Sequence, residues 1–202
     1  MKLILASTSP YRKHLLEKTG IPFTCENPGV DEVALQKKFT ERGMSPFEIS
    51  EELSYRKGLA VHSRITGHGA CLVLSGDQLL QFDSQAIGKP GTPEKAFAQL
   101  KMLQGHPHQL ITSITLFHGN EVVRHTEVVQ LRMRQLSDGE IRNYLETDQP
   151  FDCAGSYKIE KSGIALFENI QTHDFTAIEG IPMIWLCNKL KEFKYEFFSR
   201  RT

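Results

Sequence analysis

The chain has 202 residues, 40% of them hydrophobic, and its 24 Lys and Arg balance its 24 Asp and Glu, leaving no formal net charge. That length predicts one domain, residues 1–202, with a substantial core that two lobes can share. The balanced charge excludes the broad positive field used for sequence-independent binding to nucleic acid or membrane, so any anion-binding role is local.

"MKLILA" imitates the start of a signal peptide, but its apolar run of about four residues falls short of an h-region of about 7–15 and leads into a proline turn. No stretch approaches the roughly 18 apolar residues of a membrane span, so neither export nor anchoring is expected. The pattern predicts a strand over 2–6, then Ser9 as N-cap and Pro10 as the first residue of a helix reaching about Lys18, with Gly20 as its stop. "IPFTCENPGVDE" reads as a strand ending in a turn at Asn27-Pro28-Gly29. A second helix, capped at Ser50, is expected over 51–65, followed by the strand "ACLVLSGDQLLQFD" and a hairpin return in "SQAIGKP".

Thr92-Pro93-Glu94 opens a third helix that Gly105 stops. Two or three β-rich runs between Gln109 and Leu131 meet at the turn His118-Gly119-Asn120. Ser137 and Glu140 form a capping box for a short helix to about Glu146. "SGIALFENIQ" reads as a strand, Pro182 starts a last helix, and the tail "KYEFFSRRT" is expected to be partly loose. Helices mixed with some consecutive strands predict an α/β (mixed α+β) fold in which helices flank a central twisted mixed sheet.

Cys25, Cys71, Cys153 and Cys187 lie far apart with no C-x-x-C pair, which fits a reducing cytoplasm better than a disulfide framework or a zinc knuckle. The eight histidines are scattered; His14, His106 and His108 read as loop or surface residues, and no histidine metal site is expected.

"LILASTSPYRKHLL" places Arg12 and Lys13 in the first turn of a helix, where each opposes the macrodipole by about 0.3–1 kcal/mol. A bound anion reverses that sign, because free backbone N–H groups, the hydroxyls of Ser7, Thr8 and Ser9, and two cations can together grip phosphate oxygens. The plainer alternative is a surface helix with solvated bases. On the second helix Lys57 falls inside the apolar stripe of Ile49, Leu53, Ala60 and Val61, so it either snorkels or meets an anion. Asp77 follows five residues of strand pattern, as a turn former at the strand end or as a carboxylate met by a cation or metal. Lys89 in "AIGKP" can return toward the same region, and Glu32 in "GVDE" is a loop acid that can reach over. Three basic elements and two carboxylates that could converge suggest a polyphosphate held with a divalent metal. No P-loop or dinucleotide fingerprint appears.

Together "LILASTSPYRKHLL", "GVDE", "SGDQLL", "IGKP" and "CAGSYKIEKSGIALFE…IEGIP" resemble, in order and spacing, the Maf family of nucleoside triphosphate pyrophosphatases, from about residue 3 to residue 190. The resemblance implies a fold related to the inosine triphosphate pyrophosphatases, with a cleft between two lobes and usually a homodimer. It also implies dependence on a divalent cation, Mg²⁺ or Mn²⁺, and hydrolysis of a nucleoside triphosphate to the monophosphate and pyrophosphate. Ser7, Arg12, Lys13, Lys57 and Lys89 resemble the phosphate-gripping set, Asp77 the catalytic acid-base residue, and Glu32 a metal-associated carboxylate.

Most members, acting on thymidine and uridine triphosphates, read S-P-R-R, G-A-D-T and a glutamine after A-G-x-Y; here Tyr11, Gln78 and Glu160 stand at those places. That pattern is similar to the branch described as acting on 7-methylguanosine triphosphate. A 7-methylguanine ring is cationic and stacks on an aromatic face such as Tyr11, worth about 2 kcal/mol when desolvated. A carboxylate such as Glu160 can accept from both N1–H and the exocyclic amine of guanine. Pyrimidine triphosphate hydrolysis and a nucleotide-binding role in regulating septum formation are the alternatives, whereas neutral charge and the lack of an RNP, KH or zinc motif disfavour nucleic acid as a partner.

Overall fold

The computed structural model describes residues 2–65, 71–195 and 197. In chain order its elements are β1 (Lys2–Ala6), α1 (Pro10–Thr19), β2 (Phe23–Cys25), α2 (Glu32–Glu41), α3 (Pro46–His62), β3 (Cys71–Phe82) and β4 (Gln85–Ile87), then α4 (Pro93–Leu103), β5 (Pro107–His118), β6 (Glu121–Met133), α5 (Asp138–Asp148), β7 (Phe167–Gln171) and α6 (Met183–Glu192). Short 3-10 turns cover Ala154–Ser156, Ser162–Leu166 and Phe175–Glu179. The strands form a seven-stranded sheet in the order β2-β1-β3-β5-β6-β7, with β4 paired to β3. β1 runs parallel to β2 and β3 while the other pairings are antiparallel, so the sheet is mixed and flanked by helices as expected.

β3 organises the sheet. Its first half pairs with β1 from Cys71 to Ser75 and its last residues pair with β4 from Leu80, while β5 runs along its whole other edge. Residues 76–79 therefore have no strand beside them on the β1 side. The two-residue period of a strand sends Ser75, Asp77 and Leu79 to the α3 face. There the Ser75 hydroxyl donates to Ser54 O at 2.8 Å, and Leu79 packs with Ile49 and Leu53. On the opposite face Leu72 and Leu74 pack with α1 and α6, and Leu80 joins the core formed with α4, α5, β5 and β6.

Several boundaries differ from the sequence reading. Ser50 is not a cap: α3 starts at Pro46, and Ser45 forms a capping box with Glu48. Ser50 is a buried interior position whose hydroxyl has no hydrogen-bond partner among the described residues. The helix also ends at His62 rather than Ile65. α2 is absent from the sequence reading, which takes "GVDE" as a loop; its N-cap is Asp31, which accepts from Ala34 N at 3.0 Å. "SGIALFENIQ" is a 3-10 turn followed by a five-residue strand. Ala70, expected to open β3, lies outside the described residues, as do Glu196 and 198–202 of the tail.

His108 is a further correction. It lies in β5 with 3% exposure, tilted against Tyr157 and Phe167 at ring-centroid distances of 5.9 and 6.0 Å. Burial pushes the imidazole down to about 4. Because the folded value lies below the ordinary one, unfolded chain binds a proton that folded chain refuses between about pH 6.5 and 4, and stability falls as pH falls through that window. Denaturant melts should lose about 2 kcal/mol from pH 7.5 to pH 5 on this account, and His108→Leu should flatten the slope by the same amount.

α3 approaches the sheet at Gly58, where a Cβ would stand 2.3 Å from the Phe117 ring and 2.5 Å from the Ser75 hydroxyl. Gly58→Ala should destabilise the protein by about 1–3 kcal/mol in thermal or urea melts, because both neighbours are buried and cannot withdraw.

Candidate active site

The unpaired stretch of β3 faces the β1–α1 junction. Ser9 caps α1 by accepting from Arg12 N, and Ser7 Oγ accepts from Ser9 N at 3.1 Å and from Arg12 Nη1 at 3.3 Å. Arg12 folds back under its own helix, donating from Nε to Gly180 O at 3.0 Å. Gly76 makes this possible, since a Cβ there would lie 3.0 Å from Arg12 Nε. Burial lowers the guanidinium's proton affinity, and the charges of Asp77 and Glu32 oppose that effect. Lys13 takes a different course: it is exposed, pairs with Glu17 at 3.6 Å and does not line the cleft. The two bases of the first turn are thus separated, one directed inward and one to solvent.

Lys57 meets anions rather than snorkelling. Its Nζ lies 2.7 Å from Asp77 Oδ1, 2.7 Å from Glu32 Oε2 and 3.5 Å from Gly76 O. The Lys57 and Asp77 side chains are 4% and 6% exposed, and Asp77 Oδ2 is buried with no hydrogen-bond partner among the described residues. Glu32, the first residue of α2, thus reaches the pair from a helix start rather than from a loop.

Farther along the cleft, Tyr11 donates its phenol to Asp152 Oδ2 at 3.0 Å and accepts from the Cys153 thiol at 3.3 Å. Burial is the main reason that the phenol's pKa is raised and the Cys153 thiol is pushed up to about 12. Lys158 Nζ pairs with Asp152 Oδ1 at 3.2 Å and donates to Gln149 O at 3.1 Å. Gln78 donates from Nε2 to Ala177 O and Ile178 O, both at 3.0 Å, which ties β3 to the 175–179 turn. Glu160 and Glu179 also line the cleft; burial, aided by the charge of Glu179, raises the Glu160 carboxyl above its ordinary range.

Lys89 lines the cleft, on the segment after β4, with no ion pair among the described residues. Gln99 of α4 holds that segment by donating to Gly88 O at 2.9 Å, and accepts from the Ser156 hydroxyl at 2.6 Å. One amide thus links the wall carrying Lys89 to the wall carrying Glu160. Sequence reasoning singled out neither Gln99, Asp152 nor Glu179. Asp152 had one available signal, its position beside the Cys153-Ala-Gly-Ser-Tyr run, and Glu179 lay within the quoted "IEGIP" motif; Gln99 had none.

Of the residues named from the sequence, Ser7, Tyr11, Arg12, Glu32, Lys57, Asp77, Gln78, Lys89 and Glu160 line this one cleft, and Lys13 does not. Five carboxylates and three cations line it, Glu32, Asp77, Asp152, Glu160 and Glu179 against Arg12, Lys57 and Lys89. Such a cleft does not by itself attract a triphosphate; an added divalent cation would correct the imbalance. The unpartnered Asp77 oxygen and the neighbouring Glu32 fit a hard cation that takes one or two carboxylates and completes its shell with phosphate and water. Among the described residues no group of three His, Cys, Asp or Glu side chains could hold a metal without such help. No helix among them is long and apolar enough to cross a membrane.

The profile of the Maf-like protein family matches residues 2–193. The chain is 40% identical over 185 residues to a protein of Bdellovibrio bacteriovorus named 7-methyl-GTP pyrophosphatase, an alignment covering 92% of this chain and 93% of that one. A protein of the same name from Pseudoalteromonas atlantica is 38% identical over 201 residues, covering 98% of each chain. The Ham1 protein of Staphylococcus aureus matches in structure with a TM-score of 0.50 at 12% identity, over 96% of this chain and 100% of that one, a likeness of fold alone. The profile's span and the high identity over nearly the full length of these relatives establish that the chain belongs to the Maf family.

Proposed function

We propose that the protein is a metal-assisted nucleoside triphosphate pyrophosphatase that hydrolyses 7-methyl-GTP to 7-methyl-GMP and pyrophosphate. The observation that carries this reading is Asp77, a buried cleft carboxylate with one oxygen held by Lys57 and the other unpartnered. The names of the relatives support the same substrate.

The triphosphate tail lies at the start of α1, where backbone N–H groups and the Ser7 hydroxyl meet phosphate oxygens alongside Arg12, Lys57 and Lys89. Lys13 is left to contribute only through its long-range charge. Water attacks the α-phosphorus in line; the new bond is P–O from water, and the bond that breaks is from the α-phosphorus to the α,β-bridging oxygen, with pyrophosphate leaving. Asp77 Oδ2 takes the proton from that water or, alternatively, serves with Glu32 to hold the cation. Bound Mg²⁺ or Mn²⁺ supplies charge neutralisation at the phosphate oxygens. Lys57 fixes the Asp77 rotamer and Arg12 places a second cation beside it, so the charges that stabilise the transferring phosphorus are set before substrate arrives.

At the other end the Tyr11 ring stacks on the cationic base, and Glu160 accepts from guanine N1–H and the exocyclic amine. Gln78 has committed its amide N–H groups to protein acceptors, so it shapes the wall and offers only its carbonyl oxygen. The reading extends to a homodimer in a reducing cytoplasm, which the family resemblance and the free thiols of Cys25, Cys71, Cys153 and Cys187 support.

Turnover of 7-methyl-GTP, GTP, dTTP and UTP, each with Mg²⁺, Mn²⁺ or EDTA, tests the proposal. The expected result is a clear preference for 7-methyl-GTP that disappears with EDTA. A pyrimidine preference would remove the role given to Glu160, and no pyrophosphate release above background would leave the regulatory alternative standing. Asp77→Asn should lower kcat by about 10²–10⁴-fold while nucleotide affinity stays within a few-fold, and retained turnover would exclude its assignment.

A further inference from the structure

We propose that Asp152 is a specificity-determining residue which, through its hydrogen bond with Tyr11, selects a positively charged base over the neutral base of the same shape. The inference rests on the reading of the cleft as a 7-methyl-GTP site.

Three observations carry it. First, the Tyr11 phenol donates to Asp152 Oδ2 at 3.0 Å across 141 positions of sequence, and both residues line the cleft. A phenol that donates to a carboxylate returns electron density to its ring and strengthens the ring's attraction for a cation. The same bond holds the ring in one orientation. Second, charge along the cleft is unevenly distributed. Arg12 and Lys57 sit with Asp77 and Glu32, whereas among the described residues Asp152, Glu160 and Glu179 pair with no cation that lines the cleft. Their basic neighbours, Lys158 for Asp152 and Lys18 for Glu179, do not line the cleft. A base carrying a full positive charge is favoured there, whereas a neutral guanine gains stacking and hydrogen bonds alone.

Third, Lys158 secures the arrangement without filling it. It bonds Asp152 Oδ1 at 3.2 Å and leaves Oδ2 to the phenol, so the carboxylate has a fixed rotamer. Burial raises the Asp152 carboxyl, but the hydrogen bond from Tyr11 and the charge of Lys158 outweigh it and hold the group below its ordinary value. The Lys158 ammonium lies 5.9 Å from the Tyr11 ring centroid, so the ring already has a cation at the outer limit of attraction.

A purely structural role, in which Asp152 only ties one cleft wall to the other, would affect all nucleotides alike. The test therefore compares 7-methyl-GTP with GTP, which differ at that end by one methyl group and one charge. In Asp152→Asn, kcat/KM for 7-methyl-GTP should fall about tenfold further than that for GTP, and the ratio of affinities for 7-methyl-GMP and GMP should narrow equally in a binding assay. Tyr11→Phe keeps the ring but not the donor and should narrow the ratio in the same direction. The double variant should lose little beyond the worse single one, because the two act as a unit. Tyr11→Phe leaves the carboxylate in place and carries the test if Asp152→Asn does not fold. A discrimination ratio that stays at the wild-type value in both variants, or an equal loss for both nucleotides, overturns the proposal. If the wild-type protein itself does not prefer 7-methyl-GTP, the substrate reading fails first and this inference falls with it, a result visible before any substitution is made.

Discussion

The buried ion pair of Lys57 and Asp77 is the constraint around which the rest is arranged. Each charge costs several kcal/mol to remove from water, and only close, well-oriented partners offset it. Lys57 has such partners in Asp77, Glu32 and a backbone carbonyl, so α2, α3 and β3 meet at one ammonium group. Asp77 is less completely satisfied, with an oxygen that has no hydrogen-bond partner among the described residues. A fold optimised only for stability would have filled that position. An unsatisfied acceptor beside a cleft is one that a bound ligand or cation can satisfy.

The sheet explains how a carboxylate can stand there at all. A central strand normally has neighbours on both edges, but β3 exchanges a parallel neighbour for an antiparallel one and passes through four residues with neither. Into that gap comes the Arg12 side chain, which the glycine of the strand itself, Gly76, accommodates. The same strand carries Gln78 to the opposite face, where it fastens the 175–179 turn. One strand thus contributes to both sides of the cleft, and its pleat alone separates an ionic face from a neutral one.

Much of this was legible in the sequence where local rules decide the outcome. Ser9 with Pro10, Thr92 with Pro93, and Ser137 with Glu140 each start a helix where capping chemistry requires, because a cap involves only residues three apart. Ser45 and Glu48 carried the same signature and were passed over for Ser50, whose hydroxyl sits before an acidic, apolar run without capping it. Lys57 announced itself by breaking an apolar stripe. The environment of His108 could not be read, because Tyr157 and Phe167 reach it from parts of the chain about 50 and 60 residues away, and a histidine beside a proline looks like a loop. Arg12 and Lys13 were indistinguishable for a related reason: only the position of Gly76 and of Gly180 O separates an inward side chain from an outward one.

The double hydrogen bond of Gln99 has a mechanical consequence. Because its amide bonds both Gly88 and Ser156, the Lys89 segment and the Asp152–Glu160 segment are joined through one side chain. α1 is fastened elsewhere, to the 175–180 region by Arg12 and Lys18. Tyr11 and Asp152 join these two walls through a solvent-exposed hydrogen bond. The cleft is thus braced by Gln99 and Lys18, side chains that do not themselves line it.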